Sequence, residues 1–231
     1  MSKVLEINKL SAGYGPLRVL HEIDMNVSAG ERLGLVGLNG HGKTTLMRAL
    51  THMAGWQQGS IKLEGTEIGG ARSLGAGRKT PALVRRGIGV APQGDAIFPG
   101  LSVRKHLECG AYSKTAWRER RDRIDRIFDI FPPLRPLEHA LVGKLSGGER
   151  RMVSIGRMLM TEARLYLIDE PSLGLAPKIS SSVMDALWSL PVSGTMIIAE
   201  QNVSLLTGRA DRIIGIHAGR LRGAVGHVEL I

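Results

Sequence analysis

Residues 32–45 of this 231-residue chain read RLGLVGLNGHGKTT, and no other stretch restricts the possible folds so tightly. The apolar run Leu33-Gly34-Leu35-Val36 reads as a short buried strand, and KTTLMRALTHM, from Lys43 onward, carries apolar residues at helical spacing. Between them Gly37, Gly42, Lys43 and Thr44 satisfy G-x-x-x-x-G-K-[ST] in the strand-then-helix setting that the pattern requires. Glycines let the backbone turn so that its N–H groups point inward at phosphate oxygens. A helix starting near Lys43 adds the positive end of its dipole. Lys43 reaches the β- and γ-phosphates, and the Thr44 hydroxyl can ligate Mg²⁺. The loop as a whole, with Asn39, Gly40, His41 and Thr45, is thus assigned to a nucleoside triphosphate. A chance glycine turn ahead of a helix is the competing reading, and the complete pattern with both flanks argues against it.

The rest of the chain extends the α/β expectation. VLEINKLSAGY and VLHEIDMNV alternate as two strands before the turn at Ser28-Ala29-Gly30. RLYLIDE (Arg164 to Glu170) and GTMIIAEQ (Gly194 to Gln201) are further apolar strands, and DRIIGIHAGRL reads as a late strand and turn. Short buried strands alternating with helices predict a mainly parallel sheet covered on both faces, joined to antiparallel strands at the N-terminus. From Pro92 to about Thr161 charged helical patterns take over, broken by FPPLRP and LSGGER. We therefore expect one domain in which 1–93 and 162–231 form the α/β core and 94–161 an inserted helical subdomain. Gly69 to Thr80, rich in glycine and basic residues, has no buried strand leading into it and reads as a surface loop.

Composition narrows the function classes. The single cysteine, Cys109, cannot form an internal disulfide. No apolar run approaches the roughly 20 residues needed to span a bilayer, and the alternating start MSKVLEINKL lacks the apolar core of a signal peptide. A cytosolic chain is expected. The formal charge of +10 raises the question of nucleic acid or an anionic surface. Aromatics at 4% leave little for base stacking, and the densest basic stretch, WRERRDRIDR (Trp117 to Arg126), interleaves acids and reads as an exposed helix with local charge pairs. No nucleic-acid partner is expected.

A triphosphate site needs a partner that holds Mg²⁺ and polarises water. LYLIDE supplies one by carrying Asp169 to the end of a buried strand, where ligands collect in open parallel sheets. Asp169 would support the metal, and Glu170 beside it would take a proton from the attacking water as general base. Two acids followed by Pro171 and Ser172 could instead cap a helix.

LSGGER, Leu145 to Arg150, ahead of that acidic strand, resembles the signature of ABC-transporter ATPase subunits. The likeness runs from Leu5 to about Val225 and implies a P-loop NTPase core of the RecA-like kind with ATP and Mg²⁺ as its cofactors. In the family two subunits meet head to tail over two ATP molecules, so Ser146, Gly147 and Gly148 would contact the γ-phosphate held by the partner's loop. The same resemblance makes Tyr14 the aromatic that stacks on adenine, where the plain alternative is a half-buried strand tyrosine. It makes Gln93 the glutamine that contacts Mg²⁺ and the attacking water. Thr44, Gln93 and Asp169 form the implied metal set; Lys43, Glu170 and Gln201 form the implied catalytic set. Gln201 departs from the family, which often has a histidine there; glutamine hydrogen-bonds but carries no proton's charge. Gly174 and Leu175 depart from the commoner ALD ending. His41, where a small residue is usual, is read as a solvent-facing side chain.

DEPSLGLAP, EQN and IFPGLSV together resemble the second ATPase subunit of Liv-type branched-chain amino-acid importers, with urea, amide and aromatic-acid carriers close to the same pattern. That resemblance implies two membrane permease subunits, a second and distinct ABC ATPase forming a heterodimer, an extracytoplasmic solute-binding protein, and a place on the cytoplasmic face of the membrane. Phe98, Pro99 and Leu101 are candidates for permease contact, or else pack inside the helical subdomain. The ending GHVELI leaves little room for an appended regulatory domain. The rival readings are a soluble ABC ATPase acting on DNA or ribosomes, against which stand the single loop, the single signature and the lack of heptads, and an exporter ATPase such as one for lipopolysaccharide.

Overall fold

The computed structural model describes residues 2–69, 80–94, 96–190 and 194–224. The loop expected at 69–80, apart from its two end residues, and the closing GHVELI lie outside the described residues.

β1 (Lys3–Tyr14) and β2 (Leu17–Ser28) pair antiparallel, with Leu5 opposite Val27 and Ala12 opposite Leu20. On β2 Leu20, Ile23, Met25 and Val27 are buried while Glu22, Asp24 and Asn26 face outward, the two-residue period of a strand with one face on a core. β3 (Arg32–Val36) leads through the glycine loop to α1 (Lys43–Leu50). β4 (Trp56–Leu63) and β5 (Thr66–Gly69) then complete a four-stranded sheet of order β2-β1-β4-β5. The sequence reading names no strand here. The turn between them is Glu64-Gly65, both at positive φ (47° and 73°), a mirror-image hairpin turn without the usual Asn-Gly or Asp-Gly marker.

α2 (Thr80–Arg85) precedes β6 (Ile88–Ala91). A helical layer follows: α3 (Val103–Glu108), α4 (Lys114–Arg118), α5 (Arg120–Ile130) and α6 (Gly147–Leu159). β7 (Leu165–Asp169), α7 (Pro177–Trp188), β8 (Thr195–Glu200), β9 (Arg212–His217) and β10 (Arg220–Ala224) close the chain. The second sheet runs β10-β9-β3-β8-β7-β6, parallel throughout except for β10 at its edge. Its central strands are buried on both sides. Tyr166 and Ile168 of β7 and Met196 and Ile198 of β8 join the core under α5, α6 and α7. Leu165, Leu167, Ile197 and Ala199 join the core shared with α1 and the antiparallel sheet. Near-continuous apolar runs are what such two-sided burial demands.

The arginine-rich stretch differs from a plain exposed helix. It breaks at Glu119 between α4 and α5, and Arg123 is buried. Its guanidinium pairs with Glu119 at 2.7 Å, and Nη1 donates to the Met160 carbonyl at 3.0 Å, fastening α5 to the end of α6. Arg120 lies over the Trp117 ring, 4.3 Å from its centroid. Among the described residues no helix is long and apolar enough to cross a membrane.

Candidate active site

Parallel strands bring their C-terminal ends to one edge of the sheet, and every predicted chemical group of the core lies there. Register sets the spacing: Val36 of β3 is opposite Glu200 of β8, and Asp169 of β7 is opposite Ala199. The Gly37 N–H donates to the Glu200 carbonyl at 3.3 Å, and the Glu170 N–H to the Ala199 carbonyl at 2.9 Å. The end of β8 thus holds the glycine loop on one side and the acidic pair on the other.

Gly42 sits at φ 108° and caps α1 with no side-chain hydrogen bond. A side chain there would strain the backbone and meet Leu20 at 2.9 Å, so only glycine serves. The first N–H groups of α1 are left without a side-chain acceptor, which is the anion site the pattern predicts. Lys43 folds back over its own loop. Its Nζ donates to the Gly37 carbonyl at 2.7 Å and the Leu38 carbonyl at 3.2 Å, and meets Glu170 Oε1 at 2.9 Å. Lys43 and Glu170 are only 3% and 4% exposed, so the ion pair is desolvated and each charge depends on the other.

Glu170 has φ 48°, a left-handed conformation that non-glycine residues seldom adopt and that commonly marks functional sites. It caps no helix: α7 starts seven residues on, at Pro177, with Ala176 as its N-cap. Gln93, just beyond β6, donates from Nε2 to Glu170 Oε2 at 2.9 Å and accepts from the Thr44 hydroxyl at 3.5 Å. A continuous chain of contacts therefore runs Lys43–Glu170–Gln93–Thr44. Burial pushes the Asp169 carboxyl above the usual carboxylate range, while the Thr44 hydroxyl and the charges of Lys43 and Arg151 draw it back down. Asp169 Oδ1 is buried with no hydrogen-bond partner among the described residues. That unfilled acceptor, the Thr44 hydroxyl and the Gln93 side-chain oxygen are the hard oxygen donors that Mg²⁺ prefers, so the donor set fits the ion. A cavity of about 140 Å³ opens beside Thr44, Gln93 and Asp169 toward Arg48 and Met53.

The remaining predicted residues lie farther out. Tyr14 is half-buried at the end of β1, where its hydroxyl accepts from Arg48 Nη1 at 3.4 Å. His41 is not simply solvent-facing: its ring stands edge-on to that of His217, with centroids 4.4 Å apart. Gln201 is exposed beyond β8 and engages the acidic network through its backbone N–H, 3.3 Å from Glu200 Oε2. Ser146 caps α6 in a reciprocal capping box with Glu149, whose carboxylate accepts from the Ser146 N–H at 2.8 Å. Gly148 is buried against Ile179. Among the described residues no hydrogen bond joins Ser146, Gly147 or Gly148 to the glycine loop. Phe98 and Pro99 are exposed and Leu101 half-buried, while the Phe98 ring also lies against His106 of α3 and under Arg157 of α6, at 5.5 and 5.4 Å.

Two groups at the site escaped the sequence reading. Glu200 is buried, its carboxyl pushed up by burial against the opposing hydrogen bonds from the Ser172 N–H and hydroxyl, both at 2.9 Å. It thereby ties the loop after Glu170 to the end of β8. Arg151 of α6 is also buried and donates to carbonyls at the ends of β6 and β7. A signal for it exists: Arg151 shares a helical stripe with Gly148 and Ile155, both buried.

Likeness to known proteins places the chain in a family. Residues 20–173 match the family model described as ABC transporter. The chain is 35% identical over 219 residues to the high-affinity branched-chain amino acid transport ATP-binding protein BraG of Pseudomonas aeruginosa, covering 94% of this chain and 91% of that one. It is 33% identical over 220 residues to a probable branched-chain amino acid transport ATP-binding protein, LivF, of Archaeoglobus fulgidus, covering 94% and 90%. In fold it resembles cbiO1 of Clostridium perfringens, part of an ABC transporter complex, with TM-score 0.80 and 24% identity over 97% of this chain and 88% of that one. It likewise resembles the ATP-binding cassette MJ0796 in a post-hydrolysis state with ADP and Pi, with TM-score 0.78 and 20% identity over 98% and 100%. This chain belongs to the ABC transporter family and is an ATPase of it.

Proposed function

We propose that this ATPase energises a branched-chain amino-acid importer, or an importer of a related small polar solute, from the cytoplasmic face of the membrane. The chain of contacts Lys43–Glu170–Gln93–Thr44 is the observation that carries the site assignment. Lys43 exchanges its loop carbonyls for the β- and γ-phosphates, and the open N–H groups of α1 complete the phosphate cradle. Thr44, Gln93 and Asp169 would hold Mg²⁺, which when bound would supply charge neutralisation on the phosphoryl oxygens. Glu170, released from Lys43 by the incoming phosphates, takes the proton of the attacking water, and Gln93, already bonded to Glu170, orients that water. Tyr14 stacks on adenine at the mouth of the site. Ser146, Gly147 and Gly148 serve the nucleotide of a second, distinct ATPase subunit. Phe98 and Pro99 face one of two permeases, and a solute-binding protein delivers the cargo outside.

The cargo assignment rests on the relatives named above; nothing in the ATP site encodes it. The test is affinity purification of the tagged chain from detergent-solubilised native membranes, followed by reconstitution with what co-purifies. Two polytopic permeases and a second ATPase, with ATP-dependent uptake of labelled leucine, are expected. Ribosomal or DNA-repair partners with no permease would overturn the importer reading.

A further inference from the structure

We propose that Arg151 is a positioning residue for ATP hydrolysis, the strut by which the signature helix holds Gln93 in register with the acidic strand. Arg151 lies in the second turn of α6, is only 2% exposed and carries a charge into the core. Its Nη1 donates to the Pro92 carbonyl at 2.7 Å and the Gly94 carbonyl at 2.5 Å, and its Nη2 to the Asp169 carbonyl at 2.8 Å. Pro92 and Gly94 are the two neighbours of Gln93. The guanidinium therefore grips the backbone on both sides of the one residue whose side chain joins Thr44 to Glu170. Its third bond fixes the last residue of β7, beside Glu170.

Charge-assisted bonds to three carbonyls are about twice as strong as neutral ones, and the planar fork sets directions that a lysine cannot reproduce. Among the described residues, the other bonds that orient the segment after β6 are those of the Gln93 side chain itself. Pro92 offers no N–H, Gly94 sits at φ 79° where glycine's freedom is greatest, and Gln93 itself is exposed. The same side chain makes α6 and the Gln93 segment move as one. Ser146, which caps α6, is thereby mechanically joined to the group that contacts the metal in its own chain. This inference rests on the reading of Gln93 as a Mg²⁺ contact.

Arg151→Gln and Gln93→Ala are compared with the unaltered full chain in three measurements. These are the Mg²⁺ dependence of binding of a fluorescent ATP analogue, amide hydrogen exchange of the nucleotide-free protein, and ATP turnover with partner subunits. For Arg151→Gln we expect the Mg²⁺ concentration for half-maximal binding to rise about tenfold and turnover to fall about tenfold, as for lost supporting contacts at other metal sites. Exchange should quicken in the peptide carrying Pro92 to Gly94 and not in β1 or β2, and Arg151→Lys should restore only part of each effect. A lowered melting temperature with unchanged Mg²⁺ dependence and unchanged exchange at Gln93 would mean that Arg151 only fills the core, and would overturn the proposal. Should Arg151→Gln not fold, Arg151→Lys carries the same test. If Gln93→Ala leaves the Mg²⁺ dependence unaltered, the reading of Gln93 fails and this one with it. If Gln93→Ala raises it and neither Arg151 variant does, only the strut is wrong.

Discussion

Lys43 and Glu170 hold each other in a buried pair, and on the proposed reading nucleotide breaks it, which makes their substitutions separable. Glu170→Gln removes the proton acceptor but keeps a side chain that can receive the Gln93 amide. ATP turnover should fall by about 10²–10⁴-fold, the range for losing a general base, while nucleotide affinity is kept or raised because Lys43 is no longer shared. Phosphate release and nucleotide binding, measured side by side, check this; a loss of less than tenfold would exclude Glu170 as the base. Lys43→Ala leaves Glu170 4% exposed without its cation. Breaking such a pair costs about 3 kcal/mol, so the melting temperature should drop and ATP should no longer raise it. At this scale the sequence was readable where chemistry demands fixed spacing, as at Gly42, Lys43, Thr44, Asp169 and Glu170. Arg151 shows only in the buried stripe it shares with Gly148 and Ile155, its partners being backbone carbonyls, and Glu200 leaves no signal because its partner Ser172 lies far along the chain. The sequence reading did not foresee the ring contact of His41 with His217, which lies on a strand that only the folded sheet brings near.

Elements add effects that no single side chain has. α6 begins at a capping box, so Ser146→Ala should cost about 1 kcal/mol of stability. If Ser146 also serves the partner's nucleotide, turnover in the assembled transporter should fall much further than that loss of stability explains. Unfolding and turnover of the same variant separate the two roles. On α3, His106 is fully buried, with neither ring nitrogen hydrogen-bonded among the described residues. Phe98 covers it, at 5.5 Å between ring centroids. Burial, and secondarily the Arg157 charge, lower its pKa from 6.5 to about 4. Between those two values the unfolded chain takes up a proton that the folded chain refuses, so stability declines as pH falls through that window and levels off below it. The decline is bounded by about 3 kcal/mol at ~1.4 kcal/mol per pH unit. His106→Leu should flatten the slope of melting temperature against pH between about 6.5 and 4; an unchanged slope would show that other groups set it. The strands that could be read ahead, β1 to β3 and β7 to β9, are long or continuously apolar. β4, β5 and β6 were not, because β4 carries Gln57, Gln58 and Gly59, and β5 and β6 are four residues each.

On the proposed reading the chain carries two half-sites, each completed by a partner subunit. The phosphate cradle sits at the ends of β3 and β7, the signature at the start of α6, and no hydrogen bond among the described residues connects them. Arg151 nevertheless ties α6 to the Gln93 segment and to β7, the link through which the proposed strut would couple the signature to the same chain's cradle. The net charge of +10 played no part in this reading; a basic balance speaks to solubility and encounter rather than to fold. What the family signature implied, that hydrolysis needs a second subunit, becomes a statement about concentration. Turnover per mole of the isolated chain should be low and should fall on dilution, by mass action on the assembled form. Adding the second ATPase that co-purifies with it should raise turnover to a plateau at one-to-one stoichiometry. Gly148→Asp in this chain brings a Cβ within 2.8 Å of Ile179, which must shift to admit it, and on the proposed reading sets a carboxylate near the partner's phosphates. It should silence the partner's site while this chain's own cradle, completed by the partner's intact signature, still binds nucleotide. Constant turnover per mole across dilution, unmoved by the second ATPase, would instead mean that one chain builds a complete site, and that Ser146 and its two glycines do no more than start a helix.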